Sequence, residues 1–319
     1  MKKITLSDIA KKTGYSVNTV SHALRDMKDI SKEVKAYIND TAKKMGYIPN
    51  ISAGVLRGGK TMSIAIIVDD ITSLDTANAV KEIEVMLRKR GYSIFLMNTQ
   101  GSTSLCESAV TSALSRNADG IIVLGSSLPK KSIELIKENG TPLLFAGAEQ
   151  KGVVSVTVNQ YECGYMAGKK LSELEHKKIL FMGDNQKILS GIQDASRDFS
   201  IYTSPSESKE CSVIVCENYD IAFKTYMLQI KNGLSVPEDI SVMSLGCKWE
   251  NIPIDITCIG EDGGIFYAEV ISTLLGMING DDVSSEVTVS PKFFDGETIS
   301  EPSAKFKANS RKQLSDYLL

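Results

Sequence analysis

Histidine, paired cysteine and long apolar runs are scarce or absent in this sequence of 319 residues. Its two histidines are His22 and His176, and its six cysteines form no CxxC pair. The sequence therefore has few residues that could ligate a metal or form a histidine-based nucleophile site. No apolar run is long enough to span a bilayer, and the N-terminus lacks the apolar core of a signal peptide. We expect a cytoplasmic protein with no membrane association, no metal and no cofactor.

The cysteines lie largely in apolar patterns, such as Cys211 and Cys216 in CSVIVC. This pattern favours reduced, buried thiols that pack as small hydrophobes. Zinc ligation is the alternative.

The charge is divided unevenly along the chain. Residues 1–60 contain 12 Lys and Arg against 5 Asp and Glu, a net +7, whereas the remainder contains 24 against 34, a net −10. A basic head on an acidic body is typical of a nucleic-acid binder. The length predicts two or three domains.

Residues 5–24, TLSDIAKKTGYSVNTVSHAL, predict two short helices joined by a glycine turn. Thr5 and Asp8 form a capping pattern, Gly14 suits a helix stop, and Ser16 can cap the second helix. This is the helix-turn-helix plan, with an ordinary αα-hairpin as the alternative. The residues expected to face outward from the second helix are Val17, Asn18, Ser21 and His22.

A third helix is predicted from Ser31 to Met45, followed by Gly46. Its apolar residues would close a small core with those of the first two helices. The residues available for this on the third helix are Ala36, Tyr37, Ile38 and Ala42.

Residues 3–61 resemble the head piece of the lactose/galactose repressor (LacI/GalR) family. The matching motifs are TLSDIA, the turn GYSV, VSH, GYIPN and the ending LRGGKT. The resemblance continues more weakly to about residue 300. It implies a homodimeric regulator, a repressor, whose second helix reads a pseudo-palindromic operator. The DNA-binding residues assigned on this basis are Thr5, Leu6, Ser16, Val17, Asn18, Thr19, Ser21, His22, Asn50 and Leu56.

The residues assigned to the second helix fall into two groups according to their side-chain chemistry. Asn18 can pair bidentately with adenine, His22 can bond a base edge, and Val17 can contact a thymine methyl group. Ser16, Thr19 and Ser21 suit phosphate contacts or packing. By the resemblance, Leu56 inserts into the minor groove.

The segment 49–61 is predicted to be a hinge. Gly54 stands where the family usually has arginine, which lowers helix propensity. The segment also matches the nucleotide-binding P-loop formula, ending in Gly59-Lys60-Thr61. Because a P-loop follows a strand and opens a helix, and this segment does neither, we reject that interpretation.

From Ser63 onward, short apolar runs alternate with helical patterns, which predicts an α/β, doubly wound parallel sheet. The resemblance implies a two-lobed, periplasmic-binding-protein-like domain behind the all-α head. The predicted division is head 1–48, hinge 49–61, N-terminal lobe 62–159 plus 260–287, C-terminal lobe 160–259 plus 288–302, and tail 303–319.

The resemblance also implies an effector cleft at the carboxyl ends of the strands, but most of the family's polar anchors are missing. Ile188, Ala148, Gly246 and Cys247 occupy anchor positions, and the region from Gly191 to Cys211 is shorter by about a helix and a strand. The residues assigned to the cleft are Thr72, Ser73, Asn218 and Trp249. Trp249 either stacks on a ligand ring or packs in the core.

We therefore expect an effector that is not a typical sugar. The alternative is a regulator of the same family that is controlled by a protein partner or by no effector.

Two other function classes remain. A periplasmic ligand-binding protein shares the two-lobed plan, but the basic head and the missing signal peptide oppose it. A nucleotide-using enzyme is suggested only by the rejected P-loop, and no paired carboxylates or nucleophile–base set supports it. We expect no enzymatic activity.

Overall fold

The computed structural model describes residues 4–48, 60–125, 127–204, 211–246, 248–249 and 252–302. The chain separates into two compact units, residues 1–61 and 62–319. Among the helices of the described residues, none combines the length and apolarity needed to cross a membrane.

The first unit is a three-helix head. Its helices are α1 (Leu6–Thr13), α2 (Val17–Leu24) and α3 (Lys32–Lys44). The buried core residues are Ile9, Ala10, Val20, Ala23, Ile38 and Ala42.

The structure corrects the predicted inner face of α3. Ile38 and Ala42 are buried as expected, but Ala36 and Tyr37 are exposed. Residues four apart share one helical face, so Val34 completes the stripe with Ile38 and Ala42 and packs against the core.

The second unit contains two six-stranded sheets. Its strands are β1 (Ser63–Val68), β2 (Ser93–Asn98), β3 (Gly120–Leu124), β4 (Leu143–Ala146), β5 (Val154–Val158), β6 (Lys178–Met182), β7 (Ser200–Tyr202), β8 (Val213–Cys216), β9 (Ser241–Leu245), β10 (Cys258–Gly260), β11 (Glu286–Val289) and β12 (Lys292–Phe294). Its helices are α4 (Leu74–Arg88), α5 (Thr103–Ser115), α6 (Lys130–Glu138), α7 (Gln160–Glu173), α8 (Gln186–Ala195), α9 (Tyr219–Lys231) and α10 (Gly263–Asn279).

Each sheet forms the centre of one lobe. The first sheet has the order β11-β5-β4-β3-β1-β2 and is parallel throughout, and the second has the order β12-β10-β9-β8-β6-β7 with only β12 antiparallel. The chain passes between the sheets three times. The α/β, doubly wound prediction is confirmed, with the small all-α head as a separate unit.

One lobe boundary differs from the prediction. The predicted change of lobe at 287/288 falls inside β11, which pairs with β5 as far as Val289, so the third crossing follows Val289. The region from Gly191 to Cys211, predicted to be shorter than in the family, contains the three-residue strand β7, which pairs with β6.

Glycines allow α7 and α8 to pack closely in the C-terminal lobe. A Cβ on Gly164 would lie 2.1 Å from the Ile188 carbonyl oxygen, and one on Gly191 would lie 2.2 Å from the Tyr161 carbonyl oxygen. Ile188 is buried in this contact at 1% exposure. The position that carries a polar anchor in the family is therefore part of a helix–helix interface in this chain.

Candidate DNA-binding surface and interlobe cleft

Local hydrogen bonds hold the start and the end of α1. The Thr5 hydroxyl accepts from the Asp8 amide at 3.3 Å, and the Asp8 carboxylate accepts from the Thr5 amide at 2.9 Å. Gly14 follows α1 with a φ of 79° and donates its amide to the Ala10 carbonyl. Glycine adopts this conformation without steric cost, so the chain can turn towards α2.

The first turn of α2 faces solvent. The Ser16 hydroxyl accepts from the Thr19 amide at 3.0 Å and caps the helix. Val17 is 46% exposed, and Asn18 is exposed beside it. An amide and an apolar side chain at this position match the groups that read adenine edges and thymine methyl groups in a major groove.

The remaining predicted DNA-binding residues differ in exposure. Ser21 is only 4% exposed, so the expectation that it faces outward is wrong. It follows the buried Val20 and lies one turn before Leu24, which places it at the edge of the inner face. Thr5 and Ser16 are exposed, Leu6, Thr19 and His22 are half-buried, and Asn50 and Leu56 lie outside the described residues.

His22 is oriented by an acidic neighbour. Its Nδ1 lies 2.6 Å from Oδ2 of Asp29, and this hydrogen bond holds the pKa of Asp29 below its ordinary value. A carboxylate only accepts, so Nδ1 donates, and a neutral ring then presents Nε2 as an acceptor. His22 can therefore still meet a donor on a base edge.

We expect Ser16→Ala to destabilise α2 by about 1 kcal/mol, because the Thr19 amide loses its cap. Hydrogen exchange of the α2 amides should accelerate accordingly. Ser7→Ala is the matched control, since Ser7 lies exposed within α1. Equal exchange in the two variants would contradict this role of Ser16.

In the second unit, the predicted effector residues bind neighbouring groups of the chain itself. The Thr72 hydroxyl donates to Asp70 at 2.7 Å and lowers the pKa of that carboxyl. Oδ1 of Asn218 accepts from the Ile221 amide at 2.9 Å and caps α9.

Ser73 and Trp249 make contacts between the lobes. Ser73, which caps α4, donates its hydroxyl to Asp220. Trp249 is 4% exposed and stacks on Tyr267, with ring centroids 5.9 Å apart and an interplanar angle of 16°. Its Nε1 donates to Asp75 at 2.5 Å. Trp249 was predicted either to stack on a ligand ring or to pack in the core, and in the structure it packs against Tyr267.

The sequence interpretation missed the roles of Asp75 and Asp220. The sequence carried a signal for both residues, because each is the second residue of a helix and follows a polar N-cap. Asp75 stands in Ser73-Leu74-Asp75, and Asp220 stands in the matching pattern 218–220. Burial raises the pKa of Asp75 to about 6, against the hydrogen bond from Trp249, and the charge of Asp220 adds to the rise.

Glu261, at the end of β10, is a further buried acid that the sequence did not single out. Burial raises its pKa to about 7, and its Oε2 has no hydrogen-bond partner among the described residues. Within the part of the chain that the structure describes, no three Cys, His, Asp or Glu side chains are grouped to hold a metal.

Among the described residues of the second unit, the cysteine and histidine side chains have structural roles. Five cysteines are buried, as expected, and burial raises the pKa of Cys216 to about 12. His176 lies 2.7 Å from the Ser212 hydroxyl and 2.9 Å from the Ser300 carbonyl, and burial lowers its pKa to about 4. These environments disfavour thiolate or imidazolium chemistry.

Comparison with known families matches both units. Residues 5–50 match the model of bacterial regulatory proteins of the lacI family, and residues 63–200 match that of periplasmic binding proteins and the sugar binding domain of the LacI family. Curated relatives include the HTH-type transcriptional repressor PurR of Mannheimia succiniciproducens, 25% identical over 269 residues, covering 75% of this chain and 80% of PurR. PurR of Haemophilus influenzae (strain PittGG) is 25% identical over 288 residues, covering 85% of each chain.

Solved structures share the fold. The lac repressor dimer bound to operator and the anti-inducer ONPF is 18% identical, with a TM-score of 0.77, covering 94% of this chain and 100% of that chain. The CelR–cellobiose complex is 17% identical, with a TM-score of 0.62, covering 93% and 100%. The head matches the model of the lacI family, and the second unit matches a model that this family shares with periplasmic binding proteins. The chain therefore belongs to the lacI family of bacterial regulatory proteins, the DNA-binding transcription regulators of helix-turn-helix type.

Proposed function

We propose that this protein represses transcription by binding a pseudo-palindromic operator as a homodimer, with α2 in the major groove. The observation that carries the proposal is the capped, solvent-facing first turn of α2, with Val17 and Asn18 beside each other. The net charge of +7 in residues 1–60 supports it, because basic side chains neutralise phosphates. The curated relatives, which are named as repressors, support the direction of regulation.

A dimer follows from the length of the recognition helix. One helix of eight residues contacts too few base pairs for specificity in a genome, whereas two heads on adjacent half-sites combine their contacts.

We assign the dimer contact to the surface formed by β2, α4 and α9, called the β2–α9 surface below. α4 contacts both β2 and α9, so the surface is continuous. β2 is the edge strand of the first sheet and carries Leu96 at 38% exposure. On α9, Met227, Leu228 and Ile230 are between 44% and 48% exposed. An apolar surface beside an unpaired strand edge is typical of protein interfaces.

Selection from a random duplex pool, followed by a gel shift, tests the proposed DNA binding. We expect the enriched duplexes to contain inverted half-sites and to shift as a single complex. Enrichment without a common sequence would contradict operator recognition, and enrichment of isolated half-sites would contradict the dimer.

We infer that the effector, if one acts, is not a neutral sugar. Sugars need several oriented polar partners, and each unpaired hydroxyl costs about 1–3 kcal/mol. In this chain Ile188 is buried between helices, while Ser73 and Asn218 cap helices.

Mono- and disaccharides at millimolar concentration are therefore expected to leave the melting temperature unchanged. A sugar at about 100 times its Kd would stabilise the protein by about 2.7 kcal/mol and raise the melting temperature by several degrees. Thermal melts with glucose, ribose, galactose and cellobiose make the measurement. A saturable rise together with loss of operator binding would contradict the inference.

A further inference from the structure

Helices α4 and α9, from opposite lobes, bind each other's N-termini through their first-turn carboxylates. Asp220 of α9 accepts from the Leu74 amide at 2.9 Å and from the Ser73 hydroxyl. Asp75 of α4 accepts from the Asp220 amide at 3.3 Å. The two helices thus cap each other between the lobes.

This arrangement places anionic groups where a ligand would otherwise be favoured. The N-terminus of a helix has unpaired amides and a partial positive charge, and it binds carboxylates and other anions. Two N-termini that converge from separate lobes would therefore favour an anionic or hydroxylated ligand between them. Here Asp75 and Asp220 occupy both termini.

An aromatic residue closes the same region. Trp249 from the C-terminal lobe stacks on Tyr267 of α10 and donates to Asp75. Two described neighbours of Trp249 in the chain are also bound: Lys248 pairs with Asp255, and the Ile254 carbonyl accepts from the Tyr219 hydroxyl at 3.0 Å.

The apolar core also continues between the lobes. One cluster of buried side chains includes residues of β1, α4 and α10 in the N-terminal lobe and of β8, α9 and β9 in the C-terminal lobe. Apolar area removed from water contributes about 25 cal/mol per Å². Closure is therefore stabilised by packing as well as by the reciprocal caps.

We propose that Ser73, Asp75, Asp220 and Trp249 form an internal latch that takes the place of a cleft-bound effector and keeps the two lobes closed without a ligand. The consequence for regulation rests on the proposed function: operator binding would not require a small molecule in the cleft. The closure itself is a property of the second unit and is testable without DNA.

Trp249 is the single tryptophan of the chain, so its fluorescence reports directly on the latch. For the unliganded full-length protein we expect blue-shifted emission and weak quenching by acrylamide. In Asp220→Ala, the Leu74 amide and the Ser73 hydroxyl lose their acceptor. We then expect red-shifted emission and a quenching constant that rises several-fold.

Asp239→Ala is the matched control. The Asp239 carboxylate accepts from the Ser235 amide at 2.8 Å within the C-terminal lobe, so its loss removes an equivalent bond without touching the latch. Circular dichroism checks that each variant is folded. If Asp220→Ala does not fold, Ser73→Ala, which removes one hydroxyl, replaces it.

Three results would overturn the latch. One is strong acrylamide quenching in the unliganded wild type, and another is unchanged quenching in every folded latch variant. The third is a saturable decrease in wild-type quenching when glucose, ribose or cellobiose is added. DNA binding by the same samples is measured separately in gel shifts. A failure to bind DNA would overturn the proposed function, whereas only the fluorescence results test whether the latch exists.

Discussion

Asn18→Ala is expected to weaken operator binding about 5- to 150-fold, corresponding to about 1–3 kcal/mol for one bidentate base contact. The loss should be confined to one base position in each half-site, where the preference for adenine relaxes. Asn18 is exposed on the first turn of α2, and its side chain makes no hydrogen bond within the described part of the head, so its side-chain amide is available to DNA. Gel shifts against operators substituted at each position make the measurement.

Asn39→Ala is the control for this prediction. Asn39 is exposed on α3, donates to the Lys35 carbonyl and is not among the residues assigned to DNA. We expect near-wild-type affinity and unchanged base preference for this variant. If Asn18→Ala instead weakened binding to all sequences equally, Asn18 would be a contact to the DNA backbone and not to a base.

The double substitution Met227→Glu and Ile230→Glu is expected to dissociate the dimer and to weaken operator binding by about 10²- to 10⁴-fold. Each head would then bind its half-site alone, and the gain from joining two sites would be lost. In a symmetric interface the glutamates would bring unpaired charges together in an apolar contact. Sedimentation velocity gives the mass, and gel shifts give the affinity.

Leu135→Glu controls for the introduction of charge on an exposed apolar residue. Leu135 is 38% exposed on α6, whose inner side packs on the opposite face of the first sheet from α4. We expect this variant to remain dimeric. A double variant that also remained dimeric would exclude the β2–α9 surface as the dimer contact.

The head was predictable from sequence because its signals are local. The Thr5–Asp8 capping box, the turn at Gly14 and the Ser16 cap each depend on residues within four positions of one another. The errors in the head concern the direction of side chains. Neighbouring positions on a helix differ by about 100°, so a small error in the predicted phase changes which side chains face the core. Such an error placed Tyr37 in the core instead of Val34 and made Ser21 face outward.

In the second unit, the alternation of apolar runs and helical patterns predicted the α/β class but did not show the short strands. β1 is buried along its whole length and begins at Ser63, where the apolar runs were predicted to start, but β7, β10 and β12 have only three residues each. A run of three residues is too short to show periodicity. Pairing with distant strands, which the sequence does not display, decides their conformation.

The contacts between the lobes could not be predicted, because they join residues far apart in the chain. Asp75 meets Asp220 and Trp249 across separations of 145 and 174 residues. The sequence showed which family anchors were missing and did not show which groups had taken their place. The matching Ser73-Leu74-Asp75 and Asn218-Tyr219-Asp220 patterns gain meaning only once the two helix N-termini are seen to meet.

The most direct test of the account is the ratio of two dissociation constants, for the selected operator and for a shuffled duplex of the same composition, at about 0.15 M salt. Sequence-specific recognition by the exposed face of α2 predicts a ratio of about 10³ or more. Equal dissociation constants for the two duplexes would contradict the central claim that this protein reads an operator sequence.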